Sequence, residues 1–121
     1  MNSNTSNMLL WNARGLYPKS NQMKVPFLSE FAEQTKPLFI CVTESHLSDE
    51  ILPAEIHIEN YTMHRTDRVN RERGGVGIYV PDRLTCTVLY SKSNSVCKTL
   101  ILNEIELNIV ICLIYRPPDC K

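Results

Sequence analysis

Leu38-Phe39-Ile40-Cys41-Val42 restricts the fold more than any other segment of the chain. Successive side chains of a strand point to opposite faces, so a run that is apolar at every position has no face to offer water. It reads as a central strand covered on both sides. The rest of the chain has to supply that cover.

Upstream, Met8-Leu9-Leu10-Trp11 is a short apolar run ending at Asn12, with Gly15 soon after, and reads as a buried strand running into a loop. Between 20 and 34, Met23, Phe27, Leu28 and Phe31 fall close to helical spacing, with Ser20 placed to cap the helix. Pro26 either lies in the first turn of a later-starting helix or kinks this one, and Pro37 marks the way out. Downstream, 47–60 reads as a loop with a short helical turn before Pro53, and 61–65 alternates as a strand does. The polar stretch 65–73 is loop-like and ends at Gly74-Gly75.

Strands then follow closely. They are expected at 76–80, closed by Pro81-Asp82, at 85–90, at 96–105 and at 107–115. Ser91 to Ser95 is expected to turn, and Glu106 and Asn108 lie in the tight turn joining the last two strands. One or two helices against six or seven strands predict an α+β fold with a largely antiparallel sheet. The most apolar strand, 107–115, normally lies mid-sheet with a partner on each edge, and 116–121 is too short to provide one. The expectation is a disordered leader at 1–7 and, from 8 to 121, part of a larger domain.

Composition narrows the function classes. Thirteen basic residues balance thirteen acidic ones, so nucleic-acid binding has to come from a local patch. No apolar run reaches the length of a membrane span, and the polar start has no signal-peptide core, so the chain is expected inside the cell, in cytoplasm or nucleus. The five cysteines have no metal-ligand spacing and read as free thiols, with Cys41, Cys86 and Cys112 serving as small hydrophobes.

Three polar residues stand at strand ends: Asn12, Glu44 and Tyr115. Glu44 can bind Mg²⁺ through oxygen, Asn12 can orient that carboxylate or a water, and Tyr115 can donate to a phosphate oxygen. Singly, each has a blander account: a turn Asn, a solvated Glu, a packed Tyr before proline. Together with their surroundings they say more. Trp-Asn-Ala-Arg-Gly-Leu (11–16), Thr-Glu-Ser-His-Leu (43–47), Gly-Gly-Val-Gly-Ile-Tyr-Val (74–80) and Ile-Tyr-Arg-Pro-Pro (114–118) occur in that order. The series resembles the endonuclease/exonuclease/phosphatase superfamily. With Asp-Arg before the glycines and Tyr-Arg-Pro-Pro at its end, it is similar to the endonuclease domain of non-LTR (LINE/jockey-like) retrotransposon polyproteins.

That resemblance runs from about Met8 to Pro118. It implies the N-terminal half of a four-layer α/β/β/α sandwich of the DNase I type, two sheets face to face with helices outside. It further implies metal-assisted hydrolysis of phosphodiesters, with Mg²⁺ or Mn²⁺ as cofactor and no small-molecule cofactor. In the retrotransposons the domain nicks target DNA so that the free 3′ end primes reverse transcription. Carried over, Glu44 would be the metal-binding Glu, Asn12 the Asn near the metal, and Tyr115 the contact to the scissile phosphate. Two departures stand out. Arg14 occupies a position often acidic in the superfamily, and the later Asp-x-Asn and Ser-Asp-His motifs are absent from this sequence. The resemblance therefore implies a site without its general base, whose missing partner is the C-terminal half of the domain.

Other residues have weaker readings. His46, beside Glu44, can touch DNA, whereas His57 and His64 read as surface or strand residues. Arg14 is a further candidate contact. Arg65, Arg68, Arg71 and Arg73, diluted by Asp67 and Glu72, form either a phosphate-contacting stretch or a solvated loop with local ion pairs. Gly74-Gly75-x-Gly77 lacks the following Lys-Ser/Thr of a phosphate loop and reads as a close-packed start to a strand. Two other functions stay open: a degenerate, non-catalytic module binding nucleic acid or a protein, and a phosphatase of the same superfamily.

Overall fold

The computed structural model describes residues 7–14, 16, 24–47, 51, 53–67, 75–93 and 97–116. Strand β1 (Met8–Asn12) is followed by helix α1 (Lys24–Thr35), strand β2 (Phe39–Thr43) and a short 3₁₀ turn (Pro53–Ile56). Five strands complete the order: β3 (Tyr61–Thr66), β4 (Val76–Pro81), β5 (Cys86–Ser93), β6 (Lys98–Glu104) and β7 (Ile109–Tyr115).

The strands form a four-stranded sheet ordered β1-β2-β4-β3 and a three-stranded sheet ordered β5-β6-β7. Among the described residues only β1 and β2 pair in parallel, with α1 in the crossover such a pair needs; every other pairing is antiparallel. The α+β class and the antiparallel character expected from the sequence both hold. The central strand is also where the sequence puts it. β2 lies between β1 and β4 with Phe39 to Val42 buried, Ile40 and Val42 facing the helix side, and Phe39 and Cys41 facing the second sheet.

Two cores follow. Val25, Leu28 and Ala32 of α1 pack with Ile40, Val42, Tyr61 and Tyr79 on one face of the large sheet. On its other face Phe39, Cys41, Val76, Ile78 and Val80 meet Leu100, Leu102, Ile111 and Leu113 of the small sheet. The buried phenols are satisfied, Tyr61 donating to the Pro37 carbonyl at 2.6 Å and Tyr79 to that of Ile56 at 2.7 Å. Helix, sheet and sheet make three of the four layers of a DNase I-like sandwich.

Several expectations need correction. β1 is not a buried strand: it is the edge of its sheet, with Met8 and Leu10 exposed. Helix α1 begins at Lys24, which places Pro26 in the first turn, where its missing N–H costs nothing; Ser20 lies outside the described residues. The 3₁₀ turn starts at Pro53 rather than preceding it. β5 continues through Ser91 to Ser93, where a turn was expected, because Ser91, Lys92 and Ser93 pair with Leu100, Thr99 and Lys98 of β6. Cys112 is exposed, since alternation along β7 sends Ile111 and Leu113 inward and Cys112 outward. Cys41, Cys86 and Cys112 are free thiols. Among the described residues no helix is long and apolar enough to cross a membrane.

Candidate active site

The parallel register sets the first half of the site. β1 and β2 run side by side with Asn12 opposite Thr43, and the pairing continues as the Ala13 amide donates to the Thr43 carbonyl at 2.9 Å. Asn12 and Glu44 therefore leave adjacent strands at the same end of the sheet. Beyond them the chain turns sharply: Arg14, Glu44 and His46 all have left-handed backbones, at φ 50°, 51° and 55°. Non-glycine residues hold that conformation only where the surroundings impose it. Here the Leu16 amide donates to the Ser45 carbonyl at 2.8 Å and the Ser45 amide to that of Gly75 at 3.1 Å, tying three loops together.

The second half comes from the other sheet. Tyr115 ends β7, and its hydroxyl donates to Glu44 Oε2 at 2.6 Å. Asn12 Nδ2 donates to the same oxygen at 3.1 Å, and His46 Nε2 lies 3.6 Å from Glu44 Oε1. These contacts favour the charged carboxylate. The Tyr115 hydrogen bond, then that of Asn12, holds the Glu44 pKa below the ordinary glutamate value; partial burial opposes them, and the charges of His46 and Arg14 add to the lowering.

Asn12, Glu44 and Tyr115 thus meet at one point, with His46 and Arg14 beside them. Arg65 lies in β3, opposite Gly77, and its guanidinium donates two hydrogen bonds of 2.9 and 2.8 Å to the Asp67 carboxylate. Arg68, Arg71 and Arg73 lie outside the described residues. His57 is exposed, and His64 sits within β3 with its pKa lowered by burial.

Two lysines escaped the sequence reading. Lys24 donates from Nζ to the carbonyls of Ala13 at 2.5 Å and Arg14 at 3.2 Å. Lys98 is fully buried and sits across the ladder from Tyr115. The alternation of β6, with 98, 100, 102 and 104 all inward, was a signal that could have found the second. Nothing in the sequence marked the first, because its partners are backbone carbonyls.

Gly77 lies in β4 opposite Val42 and Arg65, and a Cβ there would stand 2.1 Å from Met63 Cε, so the Met63 side chain as placed uses the space that position 77 leaves open.

Among the described residues, no group of three or more His, Cys, Asp and Glu side chains converges as a metal site. One carboxylate, held ionised beside an amide and a phenol, is nonetheless a donor set that fits Mg²⁺, which is often bound through one or two carboxylates with waters completing its shell.

No family model and no curated protein matches the sequence. Solved structures do match in fold. An AP endonuclease from Archaeoglobus fulgidus superposes with a TM-score of 0.67 at 14% identity, over 92% of this chain and 41% of that one. The AP endonuclease of Leishmania major gives 0.61 at 19% identity, over 93% of this chain and 40% of its own. TDP2 of D. rerio, solved with a single-strand DNA product, gives 0.59 at 14% identity, over 90% and 44%. The chain shares the fold of the matching part of these structures and spans about two-fifths of their length.

Proposed function

We propose that this chain is the N-terminal part of a Mg²⁺-dependent endonuclease domain of the non-LTR retrotransposon type, carrying one half of its active site. The observation behind this reading is the convergence of Asn12, Glu44 and Tyr115, which lie 32 and 71 positions apart in pairs and come from two sheets. A structural turn residue, a solvated glutamate and a packed tyrosine have no reason to share one oxygen atom.

In this reading Glu44 anchors the metal, Asn12 fixes the orientation of that carboxylate, and Tyr115 stands where its hydroxyl can turn to a phosphate oxygen. Mg²⁺, when bound, supplies charge stabilisation at the phosphate and the leaving oxygen. Arg14 and His46 flank Glu44 and contribute phosphate contacts that position DNA without reading its sequence. The group that activates water comes from polypeptide outside this chain. Target-DNA nicking that primes reverse transcription is the function to which the retrotransposon-like motifs point, and an intracellular site of action goes with it.

A plasmid-nicking assay with Mg²⁺, paired with a Mn²⁺ titration followed by NMR line broadening, tests the reading. The chain alone is expected not to nick, while Mn²⁺ broadens signals around residues 12 and 44, and Glu44→Gln abolishes the broadening. Absence of any Mn²⁺ effect at Glu44 would defeat the metal-site assignment. Nicking by the wild type that Glu44→Ala removes would defeat the half-site assignment.

The outer face of the small sheet, where Val110, Cys112 and Ile114 are exposed among the described residues, favours a second reading. The chain is then a non-catalytic module that docks a protein through that face. Binding of a partner protein that Val110→Lys with Ile114→Lys abolishes, with no DNA cleavage and no metal binding, distinguishes it.

A further inference from the structure

The turn that follows Asn12 is held by a side chain from another element. Lys24 is the first residue of α1, and its ammonium donates to two consecutive carbonyls, those of Ala13 at 2.5 Å and Arg14 at 3.2 Å. Both belong to the turn directly after Asn12. Ala13 is buried at 2% exposure, so its carbonyl has little access to water. Arg14 sits at φ 50°, a conformation that needs support. An ammonium suits this place because it offers several donors from one atom, and hydrogen bonds from a charged donor are shorter and stronger than neutral ones.

The connection to Glu44 is short. Asn12 Nδ2 reaches Glu44 Oε2 at 3.1 Å, close to the limit of a good hydrogen bond, so a small movement of the β1 exit breaks it. The ladder fixes the Asn12 backbone from the β2 side, through Thr43. On the far side of the turn the Lys24 clamp fixes it.

We propose that Lys24 is a positioning residue of the candidate site, clamping the Ala13–Arg14 turn to α1 so that the Asn12 amide stays on Glu44. That this matters for metal binding rests on the function proposed above; that it matters for Asn12 geometry does not. Lys24 acts through the backbone of the turn and touches none of the reacting groups.

The test uses the full chain, ¹⁵N-labelled and without metal, as wild type, Lys24→Met and Lys24→Arg. Two readouts are taken, the Asn12 side-chain amide resonance and the affinity for Mn²⁺. In Lys24→Met the Asn12 amide should lose its hydrogen-bonded shift, and Mn²⁺ should bind about tenfold more weakly, as for loss of an outer support to a metal ligand. Lys24→Arg, which keeps a charged donor, should restore both. A Lys24→Met chain with a lowered melting temperature but an unchanged Asn12 amide and unchanged Mn²⁺ affinity would overturn the proposal, since a purely structural lysine behaves that way. If Lys24→Met does not fold, Lys24→Ala, which removes the donor and keeps helix propensity, is read by the same criteria. If wild type binds no Mn²⁺, the metal reading of Glu44 fails, and the metal-free Asn12 resonance alone decides the role of Lys24.

Discussion

The Tyr115 hydroxyl donates a 2.6 Å hydrogen bond to Glu44 Oε2 across 71 positions of sequence, joining the last strand of the small sheet to the exit of the central strand of the large one. It is a cross-sheet link between polar side chains at the rim, and it is the leading reason that Glu44 prefers its charged form. Packing in the shared core brings the two sheets together; this bond fixes how their ends meet.

Tyr115→Phe should therefore destabilise the chain in a pH-dependent way. A hydrogen bond to a charged acceptor contributes about 1.5 kcal/mol or more, so a loss of about that size is expected at neutral pH. The sign follows from linkage. Glu44 has a folded pKa below its ordinary value of 4.5, so its contribution is complete above that value and is lost as pH falls through the lowered folded pKa. Urea unfolding of wild type and variant should show a gap that narrows in acid. A gap that stays constant with pH would mean that Tyr115 stabilises by packing alone.

Gly77→Ala probes the close approach of β3 and β4. Its new methyl would stand 2.1 Å from Met63 Cε and 3.4 Å from the His64 carbonyl oxygen. Because the nearer atom is the end of a flexible side chain, a rotamer change relieves most of the clash. The expected cost is about 1–3 kcal/mol, the usual range for overpacking. Met63→Ala in the same chain should recover part of it. A double-mutant cycle measures the coupling, and strict additivity would show that the clash lies elsewhere.

How much of this was legible in the sequence depends on what each residue's environment is made of. The central strand was legible because unbroken apolarity has one structural meaning; the helix was legible from its prolines, but Phe27 of the expected apolar stripe is exposed and the buried face is Val25, Leu28 and Ala32. Asn12, Glu44 and Tyr115 could be named as candidates because each ends an apolar run, but only pairing across the two sheets shows that they meet. β1 was misread as buried because four apolar residues do not reveal that one strand edge lacks a neighbour. The far end of β5 was misread because hydrogen bonding to β6, not apolar side chains, holds Ser91 to Ser93 in the sheet. Lys24 was invisible for a related reason: a clamp on backbone carbonyls leaves no pattern in side-chain types.

Cysteine reactivity separates the inner and outer faces of the sandwich. Burial pushes the Cys41 thiol up to about 11, leaving it protonated and inaccessible at neutral pH, while Cys112 is exposed on the outer face of the small sheet. Since the thiolate is the nucleophile, brief alkylation of the native chain should label Cys112 well before Cys41, and denaturant should erase the difference. Mass spectrometry of the digested chain gives the order. Equal labelling of both in the native state would be incompatible with Cys41 lying between the sheets.

The outer face of the small sheet makes the last prediction. Register places Tyr90, Ile101 and Cys112 in one row across it, with Val110 and Ile114 on either side of Cys112 along β7. Val110 is 61% exposed and Ile114 58%, so the row is flanked by apolar side chains facing water. An apolar sheet face of this kind is adhesive. The chain should therefore bind a dye specific for apolar surface and self-associate as its concentration rises. Val110→Lys with Ile114→Lys should suppress both. Because these side chains make no part of either core, unfolding free energy should shift by no more than about 0.5 kcal/mol per substitution. Sedimentation velocity and dye fluorescence on the two chains decide the matter. A wild type that stays monomeric and dye-silent would show that the face is not adhesive, and the docking role assigned to it in the second functional reading would fall with it.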